Sequence, residues 1–329
     1  MPKPYSTLSA AFPPSPTFTN AHLPSLKNRV YIITGAASGV GLALAQMLYL
    51  AGGTVYIAAR SVARCQEGVD KILKQTSGQK GGVLKMMVVD LADLRTIRGA
   101  VDKFLAEEER LDVLFNNAGV MTPPKGSKDA LGHDLEIGTN CLGPHLLTSL
   151  LEPILLNTAM MPGMSAGSVR VVWVVTYLGA SPLEGGMRLD GKGEPVYLNK
   201  FMENYFQSKV GCTWLTDYYA KRLGPKGVMS VSIHPGLMKT DLQRHVSALM
   251  RLAMNLFLKG TDYGAYSELY AGFSPEVTME HNGAHLLAWG RLSALPPHAT
   301  EGLKSKNEGG NGNAELFVNW CNNEVALYK

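Results

Sequence analysis

The sequence predicts an α/β fold, a single domain built on a doubly wound parallel sheet. Three observations carry this expectation. Short, wholly apolar runs alternate with longer helix-like stretches along most of the 329 residues, as strands buried on both faces and joined by helical crossovers do. The first such run ends in a cluster of glycines, where a tight turn is needed. The composition is 46% hydrophobic and 18% charged with 35 glycines, against a usual ~25% charged and ~7% glycine. That describes a large apolar core with many turns. It excludes disorder over the bulk of the chain, and at this length no metal or disulfide staple is required.

Residues 1–28 contain prolines throughout and lack the charged-then-apolar order of a secretory signal, so they read as an extended N-terminal arm. Arg29–Thr34 is the first strand and Val40–Ala51 the first helix. Thr54–Ala59 is the second strand, followed by a helix over Val62–Lys74. The alternation continues with strand Val83–Val89, helix Leu94–Glu109, strand Leu111–Phe115 and helix Asn140–Leu155. Strand Val169–Val175, helix Tyr205–Leu223 and strand Val228–Ile233 complete it. Residues 29–300 are then expected to form one domain. Residues 301–329 form a C-terminal extension, in which the polar loop Glu308–Asn313 precedes a closing helix, Ala314–Tyr328.

The net charge of +4, from 31 basic and 27 acidic residues, is too weak to argue for a nucleic-acid partner. The four cysteines, Cys65, Cys141, Cys212 and Cys321, are far apart with no CxxC pattern. Neither a disulfide framework nor a zinc site is suggested, and a reducing, cytoplasmic compartment fits. No apolar run reaches the ~18 residues of a membrane span. His133, His145, His234 and His245 lack a partner four residues away. His281 and His285 have that spacing, but Gly283 between them argues against a helix, so no metal is expected.

The motifs follow the strands. Thr34-Gly35-Ala36-Ala37-Ser38-Gly39-Val40-Gly41 links the first strand to the first helix. Such glycines permit a tight turn and bring backbone N–H groups and a helix N-terminus up to a pyrophosphate. Gly35, Ser38, Gly39, Val40 and Gly41 are the expected contacts, in a GxxxGxG pattern. The second strand ends Ile57-Ala58-Ala59-Arg60. An acid there would hold a ribose 2′-OH, whereas arginine suits a 2′-phosphate. Arg60, with Arg64 close by, therefore predicts NADP(H) rather than NAD(H), on a Rossmann-type sheet.

Further motifs appear in order: Asp90-Leu91, Asn116-Asn117-Ala118-Gly119, Asn140 in Gly138-Thr139-Asn140-Cys141-Leu142-Gly143-Pro144, Tyr205-Phe206-Gln207-Ser208-Lys209, and His234-Pro235-Gly236. With them the chain resembles the short-chain dehydrogenase/reductase family from about Lys27 to Trp289. The resemblance implies that Asp90 and Leu91 meet the adenine and that Asn117, Ala118 and Gly119 turn against the cofactor. Pro235, Gly236 and Thr240 would lie beside the nicotinamide. It also implies a catalytic set of Asn140, Thr176, Tyr205 and Lys209, with Asn140 supporting a water relay to Lys209.

A lone YxxxK spacing is weak evidence in a chain with 13 tyrosines, but Tyr205 alone has lysine four residues on, and it falls on the expected helix. Positions i and i+4 share a helix face, so Lys209 can stand near both Tyr205 and the ribose. An adjacent ammonium favours the phenolate. Bringing tyrosine from about 10 to near neutrality takes about 4 kcal/mol, which the lysine and a cationic nicotinamide together are expected to supply. Tyr205 would then act as general acid toward a carbonyl oxygen.

The serine position departs from the family. Relatives carry Val-Ser-Ser where this chain has Val174-Val175-Thr176. Threonine keeps a hydroxyl to orient the carbonyl, while its β-branch restricts χ1 and adds a methyl. A slip in the alignment would put Tyr177 or Ser181 there instead. The insert around Leu183-Glu184-Gly185-Gly186-Met187 and the tail Gly283–Arg291 resemble the retinol-dehydrogenase-like branch. That branch implies bulky, lipophilic carbonyls and alcohols, and related proteins tailor secondary metabolites. The Met-rich segment His245–Lys259 reads as part of a helical lid over an apolar substrate, about 240–262. A core or subunit-contact helix, or one resting on a membrane surface, are the alternatives.

The expected activity is NADPH-dependent reduction, or the reverse oxidation, of a ketone or aldehyde on a lipophilic small molecule. A redox-neutral cyclase or isomerase and a non-catalytic NADP-sensing protein are the rivals. By fold analogy, helices Asn140–Leu155 and Tyr205–Leu223 would pair in a homo-oligomer.

Overall fold

In the computed structural model, which describes residues 9–10, 12–77, 79–181, 183–200, 202–238 and 258–329, the apolar runs become strands of one sheet. Val30–Thr34 (β1), Thr54–Ala59 (β2), Val83–Val88 (β3) and Val113–Asn116 (β4) are linked by helices Gly39–Leu50 (α1), Val62–Gln75 (α2) and Ile97–Glu107 (α3). Helix Gly143–Ala159 (α4) leads to Val169–Val174 (β5), then Glu203–Leu223 (α5) and Val228–Ile233 (β6). Thr261–Phe273 (α6) precedes two short strands, His285–Leu287 (β7) and Arg291–Ser293 (β8). Pro297–Leu303 (α7) and Asn313–Val325 (α8) close the chain. The sheet runs β3-β2-β1-β4-β5-β6-β7-β8, parallel except for the antiparallel β7–β8 pair.

Period-two alternation divides the strands between two cores. Ile32 lies beside Tyr56 and Leu114, and Ile33 beside Ile57 and Phe115. The first set, with Trp173, packs against α3, α4, α5 and α8. The second, with Val172, packs against α1 and α6. Because both faces are covered, the central strands carry no polar alternation, which is why they read as continuous apolar runs.

Four departures from the sequence reading stand out. The helix expected from Asn140 begins instead with a π-helical turn, Gly138–Leu142, and only then becomes α4. Strands β7 and β8 have three residues each, too few to show a period. The end of the expected lid, Thr261 and Asp262, opens α6, which packs on α1. The arm is not wholly extended, since Asn20–His22 forms a 3₁₀ turn, and it buries Phe18 and Leu26 in the second core. The readings made for Thr240, His245, the lid over 240–257 and the arm at 1–8 lie outside the described residues.

A buried charge ties α6 to the sheet. Arg170, at the start of β5, donates from Nε to Gly167 O, from Nη1 to Ala271 O, and from Nη2 to Ser274 O and Val277 O, at 2.7–3.2 Å. Burial lowers its guanidinium to about 10, so it stays charged at neutral pH. The carbonyls at the end of α6 carry the negative pole of that helix, which offsets the desolvation. Arg170→Met would strand three of these carbonyls, since Ser274 O keeps the Val277 N–H at 3.2 Å. We expect it to lower unfolding free energy by at least about 3 kcal/mol, at ~1–3 kcal/mol per stranded acceptor. Arg170→Lys should recover less than half of that, because lysine lacks the planar fork. Denaturant midpoints at constant m-value check both.

The C-terminal extension is tied in as well. His133 bonds Asp129 Oδ2 through Nδ1 at 2.8 Å and Glu324 Oε2 of α8 through Nε2 at 3.0 Å. The hydrogen bond to Asp129 raises the imidazole above its ordinary value against the pull of burial, and Glu324 adds to the rise. Asp129, despite burial, is held low by His133. A raised folded value means the stabilisation is full below the unfolded value of about 6.5 and is lost as pH rises through the folded one. The melting-temperature gap between this protein and its His133→Asn variant should therefore be larger at pH 6 than at pH 9.

Candidate active site

The strand order reverses between β1 and β4, and ligands of open α/β sheets bind at the carboxyl ends flanking such a switch. A cavity of about 1010 Å³ opens there. Its floor is knitted by Thr34, whose hydroxyl donates to Phe115 O at 3.2 Å and accepts from Ala118 N–H at 2.9 Å. Asn117 Nδ2 donates to Thr34 O at 2.7 Å. The glycine turn is seated against that loop. Gly35 has φ +71°, and a Cβ on it would lie 3.1 Å from Ala118 Cα. A Cβ on Gly41 would stand 2.5 Å from Asn117 Nδ2 and 2.9 Å from Gly35 O. Gly39 opens α1 and Ser38 precedes it in extended conformation, so the first amides of the helix face the cavity. This cradle fits a dinucleotide pyrophosphate.

The same cavity reaches Arg60 and Arg64 at the end of β2 and Asp90 and Leu91 after β3. Arg60 is exposed and forms no ion pair among the described residues, whereas Arg64 pairs with Glu67 at 2.7 Å. Asp90 is the one acid among the described cavity-lining residues, and its Oδ1 accepts from Ala92 N–H at 3.0 Å. Among the described residues no carboxylate follows β2 where Arg60 stands. Ala118, Gly119, Pro235 and Gly236 line the far wall.

Tyr205 and Lys209 enter the cavity from α5, one turn apart. Lys209 Nζ donates to Val174 O at 2.8 Å and lies 5.8 Å from the Tyr205 ring centroid. Thr176 stands close enough to the Tyr205 phenol to favour its ionised form. It lines the cavity, while Tyr177 and Ser181 do not. Asn140 is gathered in behind them. Its Oδ1 accepts from Val120 N–H at 2.8 Å, and its Nδ2 donates to Val120 O and Ser208 Oγ at 3.0 and 2.9 Å. The π-helical turn around it fits a functional position.

The phenol is more strongly buried than the sequence suggested. Desolvation pushes Tyr205 above its ordinary value, and Lys209 and Thr176 pull it down without prevailing. Lys209 alone therefore does not bring the phenol near neutrality. At neutral pH Tyr205 holds its proton, as a general acid must.

Several cavity residues were not anticipated from sequence. Met121, Pro123, Pro124, Leu135, Met202 and Leu258 form an apolar end beyond Tyr205. They follow or precede motifs, at positions that no motif fixes. Leu237 and Met238 lead away beside Lys259, whose N–H donates to Leu237 O at 2.9 Å. Two distant cysteines meet neighbouring turns behind Asn140: Cys141 Sγ donates to Ser208 O and Cys212 Sγ to Asn140 O, each at 3.0 Å, and all four cysteines are free thiols. His281 and His285 are engaged separately, with Thr278 and Ser232.

A family model described as short chain dehydrogenase matches residues 29–185. A short-chain dehydrogenase/reductase of Phomopsis amygdali is 39% identical over 323 residues, spanning 96% of this chain and 95% of its own. One from Neocamarosporium betae is 37% identical over 322 residues, spanning 96% and 92%. A solved, uncharacterized protein of Mycobacterium paratuberculosis superposes with a TM-score of 0.65 at 25% identity, covering 94% of this chain and 97% of that one. No helix among the described residues is long and apolar enough to cross a membrane.

The cradle makes a direct expectation. Gly41→Ala should weaken dinucleotide binding at least tenfold, about 1.4 kcal/mol, because Asn117 must leave Thr34 O to make room. Gly99→Ala, whose Cβ would meet nothing within 4 Å, should bind as the parent does in the same fluorescence titration.

Proposed function

The chain belongs to the short-chain dehydrogenase/reductase family, and from that premise we propose that it is an NADPH-dependent reductase. Its substrate would be a ketone or aldehyde on a lipophilic small molecule, in cytoplasmic secondary metabolism. One observation carries this reading: a single cavity joins the glycine cradle and Arg60 to Thr176 and Tyr205. Arg60, which forms no ion pair among the described residues, supports a 2′-phosphate. The apolar end formed by Met121, Leu135, Met202 and Leu258 supports a lipophilic substrate, since flexible thioethers adapt to irregular shapes.

The reduced nicotinamide, when bound, supplies the hydride. Thr176 donates a hydrogen bond that orients the carbonyl oxygen. Tyr205, kept protonated by burial, passes its proton to that oxygen as charge develops there. Lys209 stabilises the phenolate left behind and reaches toward the ribose. Asn140 holds the loop at Val120, on which the floor of the pocket rests.

Fluorescence titration should show NADPH binding at least tenfold more tightly than NADH, with Arg60→Ala removing most of that preference. Tyr205→Phe should cut turnover of a ketone and aldehyde panel about 100-fold or more while leaving NADPH affinity in place. Reduction should run flat through neutral pH and decline only above about 10, the ordinary tyrosine value, because burial moves Tyr205 upward. Product formation without NADPH consumption would favour a redox-neutral reaction, and failure to bind either nucleotide would sink the reading.

A further inference from the structure

Two side chains at the start of the catalytic helix grip the loop after β4 at alternate residues. Asn140 takes Val120 through its N–H and its carbonyl. Four residues earlier, and so one helical turn back, Glu136 takes Thr122: its Oε1 accepts the Thr122 N–H at 2.8 Å. Thr122 sits at φ +46°, a left-handed conformation costly for a β-branched residue, and needs holding there. Between the two grips lies Met121, buried in one cluster with Tyr205 and packed by Met202. Glu136 itself is only 4% exposed, and its turn is capped by Asp134, whose Oδ1 accepts from Glu136 N–H and Ile137 N–H.

The geometry points to Glu136 as a positioning residue for the reaction: together with Asn140 it clamps the β4 loop, and through Met121 it fixes where the Tyr205 phenol stands. This rests on the reductase reading for its chemistry, but the clamp belongs to the chain alone. A neutral acceptor would serve a purely mechanical grip. A carboxylate adds charge beside a proton donor. The groups facing it are Asp134 on its own turn and Tyr205 and Lys209 from α5, while Asp129, packed under Gly138, is engaged by His133. Burial raises the Glu136 carboxyl to about 7, with the Thr122 N–H and Lys209 opposing and Asp134 adding. Above that pH its negative charge makes Tyr205 harder to ionise.

Three variants of the NADPH-bound enzyme test this. Glu136→Gln keeps an oxygen for Thr122 N–H but removes the charge, and Glu136→Ala removes both. Met121→Ala leaves the clamp and removes the side chain through which it acts. Tyr205 ionisation is read from tyrosinate absorbance, each protein being compared with its own Tyr205→Phe version, so no substrate is needed. Turnover is read with 4-nitrobenzaldehyde. Glu136→Gln should lower the Tyr205 midpoint by about half a pH unit or more and keep turnover within threefold of the parent. Glu136→Ala and Met121→Ala should each lose tenfold or more in kcat, with NADPH affinity within twofold of the parent. An unmoved Tyr205 midpoint in Glu136→Gln, or parental kcat in Met121→Ala, overturns the proposal, and both remain measurable if Glu136→Ala does not fold. If the parent leaves the aldehyde untouched, the aldehyde-reductase reading fails while the ionisation shift still decides the role of Glu136.

Discussion

The site depends on a single constraint, the stitching of β1 to the loop after β4 across the gap where the sheet changes direction. Thr34 supplies both halves, with its carbonyl accepting from Asn117 and its hydroxyl shared between Phe115 O and Ala118 N–H. Without those bonds two loops would part at the place where backbone amides must converge on a pyrophosphate. With them the glycine turn lies so close to Asn117 and Ala118 that side chains at Gly35 and Gly41 have no room. The same loop then continues into Val120 and Thr122, where the catalytic helix holds it. The glycine turn and the Met121 contact with Tyr205 are thus held by one fixed loop.

How much of this the sequence disclosed depends on whether a feature is local. The central strands were legible because burial on both faces leaves apolar runs, as at 30–33 in β1 and 171–174 in β5. The glycine turn and the Tyr205–Lys209 pair were legible because their spacing is fixed by one turn or one helix. The π-helical turn at Asn140 was not, because it is imposed by packing. Gly138 lies against Asp129, and Gly143 lets Leu91 O approach more closely than any side chain would allow. Strands β7 and β8 owe their existence to the open edge of β6 rather than to their own three residues. Glu136 sits one turn before a motif residue, and only the path of the β4 loop gives it a partner.

Electrostatics at Tyr205 show the same division. The i, i+4 spacing correctly places an ammonium near the phenol, but spacing says nothing of burial. Desolvation is the largest influence, and one lysine, itself engaged with Val174 O, does not cancel it. The consequence is directional. A chain that keeps its phenol protonated is prepared to give a proton, as reduction requires. Taking one in oxidation would demand positive charge beyond that of Lys209, the one cation that lowers Tyr205 among the described residues.

The back of the catalytic helix explains why a C-terminal extension belongs to this site. A π-helical turn leaves backbone carbonyls off the regular ladder, and Asn140 O is met by the Cys212 thiol at 3.0 Å. Next to Cys212, Gly211 has no side chain, and the Phe317 ring of α8 fills that space, stacked in turn on Trp320. The extension therefore presses on the helix segment that carries Lys209 and Cys212. His133 bonds Glu324 of the same α8 from the loop entering the catalytic turn. Residues far apart in sequence are held on opposite sides of Asn140, and the rigidity of the proton-donor helix is set as much from behind as from within the cavity.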